Sequence, residues 1–61
     1  MDKDHKYKLI KIKDITGAVY EFEQSELQEG PWHVVVIQPY YLGTVTHTFE
    51  RKNIIFLSTI W

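Results

Sequence analysis

The sequence predicts an all-β domain: a small, five-stranded antiparallel sheet that is strongly bent. Three observations carry this expectation. Val34-Val35-Val36-Ile37 is a β-branched run flanked by Pro31 and Pro39, and such side chains are stiff at χ1 and suit a pleated backbone. Thr44 to Glu50 alternates, with Val45, His47 and Phe49 on one side and Thr44, Thr46, Thr48 and Glu50 on the other, which is the period of a half-buried strand. Gln24 to Gly30 is the only stretch that offers a helix, with Leu27 as its single apolar anchor. An isolated helix of that length is marginal in water, so at most one short helical turn is expected at about 24–29.

Taken in order, residues 1–5 are polar and read as a flexible N-terminus, followed by a single β domain over 6–61. In Lys6 to Lys13, the adjacent pair Leu9-Ile10 breaks strict alternation. A bulge there places Tyr7, Ile10 and Ile12 inward and Lys6, Lys8, Lys11 and Lys13 outward. Lysines also discourage pairing at an open edge, so this segment is expected at the edge of the sheet. Asp14-Ile15-Thr16-Gly17 reads as a turn, because Asp14 can accept from the backbone ahead of it and Gly17 can take φ > 0. Ala18 to Glu23 then completes a hairpin.

The short helical turn follows, with Ser25 as its cap. Gly30-Pro31 launches Trp32 to Gln38, the expected central strand, closed at both ends by prolines that cannot donate to a ladder. Val34 and Val36 share the Trp32 face, and His33, Val35 and Ile37 share the other. With both faces apolar, cover is expected on both. Pro39-Tyr40-Tyr41-Leu42-Gly43 is too aromatic for an ordinary solvated connection and marks an interaction surface. After Thr44 to Glu50, Arg51-Lys52-Asn53 turns the chain into Ile54 to Trp61, again apolar on both faces. That last strand predicts a subunit contact through Ile55, Leu57 and Trp61.

Composition sets the limits. A chain of 61 residues holds one domain and buries only roughly 60% of the surface its unfolded form exposes. Domains of this size are commonly reinforced by disulfides, metals or association. Cysteine is absent, which removes disulfides and thiolate metal sites and leaves association, helped by two tryptophans, four tyrosines and three phenylalanines. Residues 1–13 carry five lysines against two aspartates, residues 14–30 carry five acids and no base, and residues 31–61 carry Glu50, Arg51 and Lys52. Neighbouring strands of opposite charge fit this pattern. The net charge of −1 supplies no general field for nucleic acid or anionic lipid. The polar start lacks the apolar stretch of a signal peptide. The uncharged run from Pro31 to Phe49 is too interrupted by Pro, Gly, Thr, Gln and His to span a membrane. A cytoplasmic protein without membrane contact is the expectation.

Five strands with short connections over residues 6–60 resemble, in number and order, the small SH3-like and Sm-like β-barrels. The resemblance implies a strongly bent sheet around a tiny core. The chain carries neither the Sm glycine-asparagine or glycine-aspartate pair after a strand nor the acidic-aromatic groove of SH3 domains. That fold hosts many functions, so function must be argued from side chains.

Catalysis finds no support in the sequence. Ser25, Ser58 and the threonines lie in no activating context, Glu21 and Glu23 read as a solvated strand face, and only three scattered glycines are present to cradle phosphate. His5, His33 and His47 match no compact metal pattern, and no cofactor is implied. Binding remains. Trp32, His33, Tyr40 and Tyr41 can stack on nucleobases, and Arg51 and Lys52 can neutralise phosphate. The first expectation is a homo-oligomeric module for a nucleotide-type ligand or short RNA. The alternative is an inhibitor or regulator that grips a host protein through the aromatic loop or an open strand edge. In size and style the chain resembles small phage and mobile-element products of both kinds.

Overall fold

A computed structural model describes residues 6–61; the expected flexible segment 1–5 lies outside the described residues. The order is β1 (Tyr7–Asp14), β2 (Val19–Glu29), β3 (His33–Tyr40), β4 (Gly43–Glu50), a 3-10 turn (Arg51–Asn53) and β5 (Ile54–Ile60). All neighbouring strands pair antiparallel in one sheet ordered β4-β3-β2-β1-β5. The all-β, five-stranded expectation therefore holds, and the single helical turn follows β4 rather than falling at 24–29.

Four features differ from expectation, each for a physical reason. Residues 24–29 are strand, because Glu26, Leu27, Gln28 and Glu29 pair with Ile37, Val36, Val35 and Val34; this ladder overrides a weak local helix preference. The central strand is β2, not β3. At 11 residues, β2 is long enough to pair β1 with its first part and β3 with its last. Pro39 does not close β3 either: it lies inside the strand opposite Thr44 near the hairpin tip, where one missing donor interrupts little of the ladder. Lastly, β1 is not an edge strand, since β5 pairs along its other side from Leu9–Ile60 to Asp14–Ile54. Lys11 and Lys13 lie on the outer face instead, where Lys11 Nζ is 3.9 Å from Glu21 of the opposite strand.

The bulge expected at Leu9-Ile10 does not form: both residues keep unbroken register with β2 and with β5. Register runs without slip from Tyr7–Ser25 to Leu9–Glu23, and the strained residue is Gln24, with φ of 53°. It lies within the part of β2 that pairs with β1, one residue before Ser25, and Tyr7 packs against the cluster of Ile10 and Ile12. The core is small: Ile10, Ile12, Val34 and Val36 are fully buried and Phe22 nearly so. Burying each such side chain contributes about 1.5–3 kcal/mol.

The bend is legible in ring contacts. Strands β2 and β4 are separated by β3, and in a flat sheet they stand roughly 9–10 Å apart. Yet the Phe22 ring centroid lies 4.6 Å from that of His47, and Tyr20 lies 5.2 Å from Phe49. The sheet therefore curls its inner face onto itself.

The first turn forms as its residues predict. Asp14 Oδ1 accepts from the Thr16 amide at 3.0 Å, the Thr16 hydroxyl at 2.6 Å and the Ala18 amide at 3.1 Å, and Gly17 takes φ of 91°. The Thr16 hydroxyl, helped by both amides, holds the Asp14 carboxyl below its ordinary value.

Candidate functional site

The β2–β3 turn and the 3-10 turn after β4 meet at one end of the sheet. His33 opens β3 directly opposite Glu50 at the end of β4, so the residues before the one and after the other become neighbours. The β2–β3 turn is closed by the Gly30 amide donating to the His33 carbonyl at 2.8 Å. A Cβ on residue 30 would lie 3.2 Å from that same oxygen, so the tight closure favours glycine. The Arg51 amide donates to the Trp32 carbonyl at 2.9 Å. The Arg51 side chain reaches back in turn, with Nε to the Gly30 carbonyl at 2.9 Å and a terminal nitrogen to Glu29 Oε1 at 3.2 Å.

These bonds fix the backbone around Trp32 while its indole stays 76% exposed. Pro31, Trp32, His33, Glu50, Arg51 and Lys52 line a groove of about 480 Å³. A second hollow of about 300 Å³ shares Pro31, Trp32 and His33 and extends toward Gln28 and Val35. The Lys52 side chain is 81% exposed and lies 3.7 Å from Glu50 Oε1. An ion pair this open is weak and readily exchanged. The groove thus offers an apolar ring face, a solvent-exposed ammonium and the Glu50 carboxylate paired with it.

Of the expected binding residues, Trp32, His33, Arg51 and Lys52 converge here. Tyr40 and Tyr41 do not. They stand at the other end of β3, seven residues on from His33, a span of roughly 23 Å for an extended strand. There the two rings pack 5.6 Å apart, with Tyr41 89% exposed and Leu42 beside it also exposed.

The expected subunit contact is divided as well. Leu57 pairs with Ile12 and packs against the core, whereas Ile55 and Trp61 are exposed and Trp61 packs on Tyr7 at 5.2 Å. Phe56 and Ile60, which are not among the residues of the expected contact, lie opposite Lys13 and Leu9 on the outer face and are 49% and 54% exposed. The cause is a register shift beside Asp14, which inserts Ile55 as an extra residue and reverses the facing of those after it. Its only trace in the sequence is the doubled isoleucine.

His47 points inward, its Nε2 3.0 Å from Gln38 Oε1. Ser25 is fully buried and donates to the Glu23 carbonyl at 3.0 Å. Among the described residues, no three His, Cys, Asp or Glu side chains gather where they could hold a metal, and no helix is long and apolar enough to cross a membrane. No family model, curated protein or solved structure matches the chain.

Proposed function

We propose that the chain is a non-enzymatic, homo-oligomeric binding module that holds a nucleotide-type ligand or short RNA in the groove beside Trp32. The observation that carries this reading is an exposed indole sharing one groove with the lightly held ammonium of Lys52. A base stacks on the indole, an interaction indifferent to base identity. Lys52 exchanges Glu50 for a phosphate, and the carboxylate so released can accept from an exocyclic amino group. Arg51, already engaged with Gly30 and Glu29, shapes the groove more than it grips the anion.

Titration of the chain with mononucleotides and short oligoribonucleotides, read by calorimetry, tests the proposal. Wild type should bind, and Trp32→Ala should weaken binding by about 5- to 100-fold, the worth of one stacked base. No binding at millimolar ligand, or equal binding by Trp32→Ala, overturns it.

The exposed tip formed by Tyr40, Tyr41 and Leu42 favours a second reading, capture of a protein partner. Pull-down with Tyr41→Ser as control separates the two, because that substitution leaves the groove untouched.

A further inference from the structure

Edge strands normally carry charges, prolines or irregularities that stop a second chain from pairing with them. In this sheet the edges are β4 and β5. Between Ile54 and Trp61 there is no charged residue, proline or glycine. The one irregularity, at Ile55, lies at the start of the strand and leaves Phe56 to Ile60 in regular register with β1. The lysines that usually guard an edge are one strand inward, on β1. The other edge is less apolar: β4 presents Thr44, Thr46 and Thr48 on its outer face and ends in Glu50.

The order of residues along β5 also suits pairing with itself. When two copies run antiparallel with Ser58 opposite Ser58, Phe56 falls opposite Ile60 twice and Leu57 opposite Thr59 twice. Aromatic and β-branched residues directly opposite one another are favourable cross-strand pairs. The smallest side chain of the regular segment, Ser58, falls at the centre. Ser58 lies opposite Lys11, so it shares the outer face with Phe56 and Ile60. In such a pair the two β1 strands stand three strand spacings apart, about 14 Å, beyond the screening length of about 8 Å at physiological salt. Their lysines therefore do not oppose association.

We infer that two copies join β5 to β5 about a two-fold axis at Ser58, making one continuous antiparallel sheet. The inference specifies the oligomer in the proposed function and rests on that part of it alone. The groove near Trp32 is lined by the ends of β3 and β4 and by Arg51 and Lys52, and none of its lining residues lies between Phe56 and Ile60.

Because the chain has no cysteine, one substitution reads the geometry directly. Opposed residues of an antiparallel pair have Cα atoms about 4.5–5.5 Å apart, within disulfide range. Ser58→Cys should therefore oxidise to a covalent pair of twice the chain mass, while Thr46→Cys on the other edge should not. Native mass spectrometry at high micromolar concentration should give a dimer for wild type. Ser58→Lys, which sets two ammonium groups face to face at the axis, should weaken it at least about tenfold. A monomeric wild type, a ring of three or more, or a Ser58→Cys chain that gives no covalent pair overturns the inference. Nucleotide titration of Ser58→Lys keeps the two questions apart, since the groove should bind whether or not the sheet is joined.

Discussion

Arg51 donates from Nε to the carbonyl of Gly30 at 2.9 Å, so a side chain from the turn after β4 closes the turn between β2 and β3. This bond ties together two turns 21 residues apart in the chain. Arg51→Ala should lower stability by about 1 kcal/mol, the worth of a half-exposed charged hydrogen bond, read by urea unfolding. Arg51→Lys should not restore it, because an ammonium cannot reach both Gly30 and Glu29 as the guanidinium fork does.

Lys52 is the contrasting case. Its side chain is open to solvent and pairs only loosely with Glu50. Lys52→Ala should leave the unfolding midpoint unchanged while reducing nucleotide affinity several-fold and flattening its dependence on salt. Equal affinity in calorimetry at low and high salt for both proteins would remove Lys52 from the site.

Asp14 gives the chain a pH signature. Its carboxyl is held below the ordinary value of 3.8 by the Thr16 hydroxyl and the amides of Thr16 and Ala18. A group whose folded pKa is depressed contributes stability that is complete above its unfolded pKa and is lost as pH falls through the folded one. Asp14→Asn should therefore be less stable than wild type at neutral pH, with the gap closing below about pH 4. Thermal unfolding across pH 2 to 7 checks it; a constant gap would contradict the assignment.

Gln24 occupies the left-handed region at φ of 53°, where side chains branched at Cβ clash most. Gln24→Val should cost about 1–2 kcal/mol, whereas Gln24→Gly should be neutral or slightly stabilising. In the core, Ile10→Ala should cost about 3 kcal/mol, a large share of the stability available to so small a domain. Denaturant midpoints measure all three.

Local chemistry was the legible part of this chain. Asp14, Thr16 and Gly17 specify their turn from within four residues, and Thr44 to Phe49 state their facing by alternation. Where a longer-range ladder competes, the local signal misleads: Ser25 and Leu27 suggest a helix, but pairing with β3 draws residues 26–29 into strand. The lysines of β1 suggested an edge because solvent exposure on a face and at an edge select the same residue type. For the site, Trp32, His33, Arg51 and Lys52 were identifiable by chemistry, and their meeting depends on the His33–Glu50 register, which no single segment encodes. The separation of Tyr40 and Tyr41 from them follows from the same register. Phe56 and Ile60 were hidden by one inserted residue.

Three of the four ladders link strands adjacent in the chain, and only β1 with β5 links its two ends. Closing that long loop costs entropy that the neighbouring hairpins do not incur. That cost favours assembly of β1 through β4 first, with β5 docking last onto β1. Substitutions along β5 should then speed unfolding while scarcely slowing refolding. In that order β1 would keep an open side until β5 docks, and its lysines would discourage pairing there with a neighbouring chain.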